Sequence, residues 1–439
     1  MPETASSRRD LSVVAILVSV FVSAAAALAQ ATVLGKQIYD LTGRELDLGL
    51  LGLAEFAPAA LLVLVTGSAA DRFDRRRVAA VGFAGEALVA GALSWYAGTD
   101  PTAVGPIFAL AFAFGVARAF AAPAIRSLPA DIVAPDRLPW LVARFSGGWQ
   151  AALIVGPVLG GFLYTIDIRL PYIAAMVLLL LAAGSISLVR RPVPATVTTP
   201  GAREALVLED AASEPVVGHS AVDAGGPSEK ASFRDAIEGL AFIRRHPVLL
   251  GAISLDLFAV LFGGAVALLP AIATDRLGVD AVGLGWLRAA GGLGAGLVTV
   301  GLAVRPVRRN VGRVLLVAVA TFGVTTIALG LTHSFVLAFL ALAILSGADS
   351  VSVFIRATLV PLVTPEEKRG RVMAVENVFI GASNELGAFE SGVVGQILGP
   401  AGAVVVGGIG TLLIATGWWF LFPDLRRVDR FPDGPSVGA

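Results

Sequence analysis

Long unbroken runs of apolar residues, separated by short polar stretches, organise this chain. Twelve such runs cover 11–34, 48–68, 78–98, 103–124, 140–164, 170–189, 248–271, 282–304, 313–332, 335–358, 372–396 and 402–422. Each is long enough to cross a hydrocarbon core of about 30 Å as an α-helix. The runs are continuous rather than alternating, which excludes the strands of a membrane barrel. The pattern predicts an all-α integral membrane protein with twelve transmembrane helices. The first run follows Arg8 and Arg9 and ends in "AAALAQA", small residues that a signal-peptide cleavage site would also show. Its length and the eleven further runs favour an uncleaved first helix.

Composition agrees: 56% of residues are hydrophobic and 15% charged, against about a quarter charged in a soluble protein. Cysteine is absent, so disulfides and thiolate chemistry are excluded. His219, His246 and His333 share no motif, and neither a metal nor a cofactor is expected. The formal net charge is zero and no nucleic-acid partner is expected. The charge is unevenly placed, however. Of the basic residues outside the apolar runs or near their ends, Lys36, Arg44, Arg169 and Arg276 fall on one side and nearly all others on the opposite side. The positive-inside rule then puts both termini in the cytoplasm of a cell inner (plasma) membrane. Trp95, Tyr96, Trp140, Tyr164 and Tyr172 lie near predicted helix ends, as interfacial anchors do.

Between Arg190 and Pro247 the composition turns rich in Pro, Ala, Gly and charge, the mark of a flexible linker. Its end, "SFRDAIEGLAFIRRHPVLL", spaces Phe233, Ile237, Leu240, Ala241 and Phe242 helically among basic residues, predicting an amphipathic helix on the membrane surface. Three parts follow: a six-helix bundle over 1–189, a cytoplasmic linker over 190–247 and a second six-helix bundle over 248–439. The halves are also related, because Ile125, Arg126, Val133 and Pro135 match Ile355, Arg356, Val363 and Pro365 at the same internal spacing. A parallel duplication of this kind suggests a transporter with a site near mid-membrane.

The segment "GSAADRFDRRRV" carries Gly67, Asp71, Arg72, Arg75 and Arg76 and resembles the G-x-x-x-D-R-x-x-R-R signature of the major facilitator superfamily. "GGWQAALIVGPVLGG", with Gly148, Gly156, Pro157, Gly160 and Gly161, resembles the motif of proton-exchanging exporters in that superfamily. "LDLFAVLFGGAVALLPAIATDRLGV" and "RGRVMAVENVFIGASNELGAFESG" are similar to the branch of the enterobactin exporter and related secretion permeases. The resemblance implies two pseudo-symmetric six-helix bundles, a gate at Asp71 and Arg75, and proton-coupled export.

Physically, Gly67 permits close helix approach or a tight turn, and Asp71 can accept hydrogen bonds from a helix N-terminus or an arginine. A solvated positive loop is the plainer alternative. The second half keeps Gly301, Arg308 and Arg309 but places Arg305 near the position of Asp71, and Phe389 stands where Pro157 would fall. Both features therefore read as asymmetric. Charges inside the runs are the remaining pointers, since each costs about 3 kcal/mol at the bilayer centre unless it faces protein or water. Arg144, Arg356 and Glu376 lie near predicted helix ends, where snorkelling would serve. Arg118, Asp256, Arg288, Asn384 and Glu385 are the candidates for substrate and proton coupling, with Arg118 matching the fourth-helix arginine of the family's exporters. Asp256 or Glu385 could exchange a proton, or form a structural ion pair with Arg118 or Arg288.

The expectation is a secondary transporter, monomeric and surrounded by membrane lipid, that exports a small amphipathic molecule such as a siderophore, drug or secreted metabolite by alternating access. A lysophospholipid flippase or a non-transporting membrane receptor are the rivals. No GxxxxGK[ST] occurs, so neither an enzyme nor an ATP-driven pump is expected.

Overall fold

The structure, a computed structural model, describes residues 3–134, 136–189 and 233–432; within them the side chains of 3–10, 63–65, 67–71 and 233–236 are not described. Most of the predicted linker, and the side chains of Gly67 and Asp71, therefore lie outside the described residues. The long helices are α1 (Glu3–Thr42), α2 (Glu45–Arg72), α3 (Arg75–Ala97) and α4 (Gly105–Ser127), followed by a single turn, α5 (Pro129–Ile132), and then α6 (Leu138–Ile166) and α7 (Leu170–Leu188). After the undescribed segment come α8 (Phe233–Arg245), α9 (Pro247–Phe262), α10 (Ala281–Val304), α11 (Val311–Leu331), α12 (Phe335–Val363), α13 (Glu366–Leu421) and the short α14 (Pro423–Arg427).

Among the described residues, ten helical stretches are long and apolar enough to cross a membrane. The count reaches twelve for two physical reasons. α13 is two helices joined at Gly399, whose φ of 74° and ψ of 162° only glycine adopts readily, with Pro400 next to it. α2, at 28 residues, supplies the other crossing. Helix ends follow local chemistry. Gly43 closes α1 with φ 58° and an N–H bonded to Tyr39 O at 2.8 Å, and Ser334 caps α12. The predicted seventh span is interrupted: α9 stops at Phe262, and a 3₁₀ turn (Gly264–Leu268), a short α turn and a π turn (Ile272–Arg276) carry the chain onward. Pro270 lacks the N–H a regular helix needs there, and a Cβ on Gly264 would collide with Gly387 O of α13.

The chain forms two compact units. Of the described residues, the first contains 3–43, 53–134, 136–189 and 278–289, the second 44–52, 233–277 and 290–432. In the first, α1 packs on α6 and α7, and α3 on α4 and α7. Its core joins Ile16, Phe83, Phe114, Leu141, Leu179 and Ile186. In the second, α9 packs on both parts of α13, through Gly387 against Val260 O and Gly407 against Phe262 O, while α11 packs on α12 and α13. The pairings of the first unit thus recur in the second, as the internal repeat requires. Tyr172 departs from its predicted role as an interfacial anchor: it is fully buried and donates its hydroxyl to Gln37 Oε1 at 2.5 Å. A buried phenol needs such a partner.

Candidate functional site

Among the described residues, several charged side chains lie inside spanning helices. In the first unit, Glu86 on α3 is completely buried, and Arg118 on α4 stands 3.9 Å from it. Both Glu86 carboxylate oxygens lack a hydrogen-bond partner, so the attraction is Coulombic rather than a formed bond. Arg288, in the first turns of α10, is half-buried with an unpartnered Nε, and Glu55 of α2 interacts with it electrostatically. In the second unit, Arg356 on α12 lies between Asp256 on α9, at 2.7 Å, and Glu376 on α13, at 3.6 Å. Glu385, further along α13, is buried with its Oε2 where a Cβ on Gly52 of α2 would come within 2.9 Å; Asn384 beside it is half-buried.

Several expectations are corrected here. Arg356 and Glu376 do not snorkel; they are 4% exposed and ion-paired. Asp256 pairs with Arg356, not with Arg118 or Arg288, while Arg118 takes Glu86. The physical reason is topological: Arg356 belongs to the same unit as Asp256 and Glu376, whereas Arg118 and Arg288 belong to the other. Arg144 is exposed and stacks over the Trp140 ring at 3.9 Å, consistent with a helix end.

The signature segment also differs from a loop. α2 continues to Arg72 and α3 begins at Arg75, so Gly67 and Asp71 are helical in backbone and the turn is only Phe73 and Asp74. Asp74 caps α3: its Oδ1 accepts from the Arg76 N–H at 3.1 Å and from Arg76 Nε at 3.0 Å. The Arg76 side chain lowers the Asp74 pKa below the usual carboxylate range. Arg76 also donates to Val189 O at 2.5 Å, and Arg75 pairs with Asp131 beside the α5 turn at 2.8 Å. Arg72 is exposed. Asp74 and Asp131 were not singled out from the sequence. Asp74, however, immediately precedes the α3 helix, and Asp131 sits within the repeated "PADIVAPDRL" segment, so both signals were present.

The glycine motif of α6 makes two seams. Gly156 and Gly160 lie on α1, where added Cβ atoms would be 2.7 Å from Ala25 O and Ala29 O; Gly148 meets Val20 more loosely. Gly161 faces the other way, against Ala281 O of α10, and Gly285 of α10 approaches Pro157 O so closely that a Cβ would stand 2.5 Å from it. The residue difference between the halves stands, yet the close approach itself recurs. α13 repeats it through Gly392 and Gly395, which approach Glu45 and Gly49 of α2, although Phe389 replaces proline. Backbone proximity requires absent side chains, not proline itself.

A family profile described as Major Facilitator Superfamily matches residues 12–313, and one described as Transmembrane secretion effector matches residues 227–434. A comparison with curated proteins gives no match. Among solved structures, the chain is similar to a bacterial homolog of the human lysosomal transporter Spinster in an inward-facing, unoccupied conformation, with 16% identity, a TM-score of 0.66 and coverage of 97% of this chain and 99% of that one. It is similar to a POT family transporter in complex with a thioalcohol-conjugated peptide, at 12% identity and TM-score 0.68 over 94% and 96% of the two chains. The human organic anion transporter MFSD10 (TETRAN) gives 16% identity and TM-score 0.59 over 93% and 99%.

Proposed function

The chain belongs to the Major Facilitator Superfamily of membrane transporters, and from that premise we propose that it is a proton-coupled exporter of a small amphipathic molecule. It works as a monomer in the cell inner membrane with both termini cytoplasmic. The similarity of residues 227–434 to a transmembrane secretion effector supports outward transport. The observation that carries the coupling is the burial of ion-paired carboxylates inside spanning helices, Asp256 and Glu376 on Arg356 and Glu86 on Arg118. A fold that needed only to stand in lipid would fill those positions with apolar residues at no desolvation cost. Protonating an acid releases its arginine partner, and that change in pairing is what lets a proton bias one state of the cycle over the other.

The remaining groups have parts in the same cycle. Arg75 and Asp131 hold the α2–α3 turn to α5 in one state, with Asp71 as their gating neighbour. The glycine seams of α6 with α10 and of α13 with α2 let helices close without side chains between them. Glu385 and Asn384, with Arg118 and Arg288, face substrate or protons.

The test is efflux of a panel of fluorescent amphipathic compounds from proteoliposomes with and without a proton gradient. Wild type should export at least one compound, faster with the gradient, and Asp256→Asn and Glu385→Gln should lose most of that acceleration. Gradient-driven export at normal rates in both variants would sink the assignment of these carboxylates. Asp71→Asn should slow turnover several-fold with probe binding intact; equal loss of binding would move Asp71 into the substrate site.

A further inference from the structure

The triad of Arg356, Asp256 and Glu376 sets two acids against one base. Their side chains are 5%, 7% and 5% exposed, so full ionisation would leave one uncompensated negative charge in surroundings that solvate it poorly. The two acids are not equivalent. Arg356 Nη2 makes a charge-assisted hydrogen bond to Asp256 Oδ1 at 2.7 Å, whereas Nη1 stands 3.6 Å from Glu376 Oε1, beyond hydrogen-bond distance. Glu376 Oε2 and Arg356 Nε are buried without a hydrogen-bond partner.

Other charges on the packed elements are engaged elsewhere. Lys368 lies over the Phe242 ring, Arg369 donates to Pro361 O and Arg371 pairs with Glu238. His246 is bonded to Phe242 O, and Arg244, Arg245 and Arg313 are exposed. Asp349 lies two helical turns before Arg356 on α12, about 10 Å away along the axis. Arg356 is thus the cation that the structure places against these two acids.

The triad is also covered. Ile253, Val360 and Val372 lie one turn from Asp256, Arg356 and Glu376 respectively, and they share one buried apolar cluster with Phe242 and Ile243 of α8. The amphipathic helix expected here therefore turns one side to protein: Phe242 and Ile243 pack into a cluster with residues of α9, α12 and α13, leaving Ile237 and Leu240 exposed. Two contacts pin it there. Glu238 pairs with Arg371 at 2.8 Å, and Gly239 approaches α13 so closely that a Cβ would lie 2.9 Å from Arg371 O.

We infer that Glu376 is a proton-binding group of this transporter, sharing Arg356 with Asp256, and that α8 with the apolar layer beneath it seals this group from the end of the unit where α12 turns into α13. The inference rests on the proton-coupled reading above. Uptake forms an O–H bond on the Glu376 carboxyl and leaves Arg356 and Asp256 as a neutral pair; release returns the proton to water and the site to a net charge of minus one. No electrons are exchanged.

Infrared difference spectroscopy of the full chain in liposomes tests this without any substrate. Wild type should show a protonated-carboxyl carbonyl band near neutral pH, part of which disappears in Glu376→Gln. That part should change frequency in Glu376→Asp and keep it in Asp256→Glu. Asp256→Asn leaves Glu376 alone with Arg356, so the same component should weaken. A band unchanged in Glu376→Gln, or one that shifts in Asp256→Glu instead, overturns the assignment. For the seal, Ile243→Ser should speed deuterium exchange of the component about tenfold, and an unchanged rate overturns that part. Loss of the band with gradient-driven efflux intact defeats the proton site alone; absent efflux with the band present defeats the transport reading alone.

Discussion

Asp74 sits two residues before the N–H it caps, and Arg76 grips the same carboxylate with its side chain. Hydrogen bonding to the charged form is what lowers the pKa, so the stabilisation exists above the unfolded carboxylate value and fades as pH falls through the depressed folded value. Arg76→Gln should therefore raise the Asp74 midpoint toward the ordinary carboxylate range, read from the carboxyl carbon shift by NMR in detergent. A midpoint that stays low would assign the effect to the cap alone. The neighbouring pair, Arg75 with Asp131, is partly exposed, which limits its worth to about 1 kcal/mol. A double-mutant cycle of Arg75→Gln and Asp131→Asn on thermal stability should return a coupling of that size, and the charge-swapped double variant should recover part of it. At this scale the sequence was half legible. Arg75 and Arg76 stand out through the signature the segment resembles, whereas their acids are hidden because a carboxylate's partner depends on where a turn ends, which the composition of the segment leaves open.

Elements meet here through glycine, and the glycines divide into those that must be small and those that need not be. Gly161 is pressed on Ala281 O, while a Cβ on Gly301 near the end of α10 would meet nothing within 4 Å. Gly161→Ala should lower stability by about 1–3 kcal/mol through overpacking, and Gly301→Ala should raise it by up to about 1 kcal/mol through helix propensity. Thermal unfolding in detergent separates the two, and equal shifts would remove the seam from the account. At Gly399 the constraint is the backbone rather than space. Its φ is 74° and nothing lies near its Cβ position, so Gly399→Ala should cost about 1–3 kcal/mol from conformational strain alone. The apolar runs announced the long spanning helices, because bilayer thickness sets run length directly. They did not announce that the ends run on beyond the apolar core, as α1 does to Thr42 and α2 to Arg72, since hydrogen-bonded helix continues into polar residues wherever no glycine or proline stops it.

For the whole molecule, an even number of crossings puts the two termini on one side of the membrane. The native chain has no cysteine, so single cysteines placed near Leu11 and after Arg430 report this without background. Both should react with an impermeant maleimide from the cytoplasmic side only; reaction from opposite sides would break the twelve-crossing scheme. The repeat reaches further than the matched Ile-Arg segment suggested. The packing of α1 on α6 and α7 returns as α9 on the two parts of α13, and the glycine seam returns with it. The charges did not follow the repeat: Arg126 is half-buried, while its counterpart Arg356 is buried between two acids.

The sequence by itself determined the helical class, the number of crossings, the internal repeat and the family signatures. Each of these is written in contiguous residues: run length against membrane thickness, spacing along one helix, glycine and proline at breaks. Only the tertiary structure decided which buried charges meet. Asp256, Arg356 and Glu376 stand on three different helices, and an ion pair in a poorly solvating interior depends on ångström distances between helices, a quantity that no local pattern encodes. The same holds for α8, whose amphipathic spacing marked a surface helix but left open whether its apolar face would meet lipid or the side of α13.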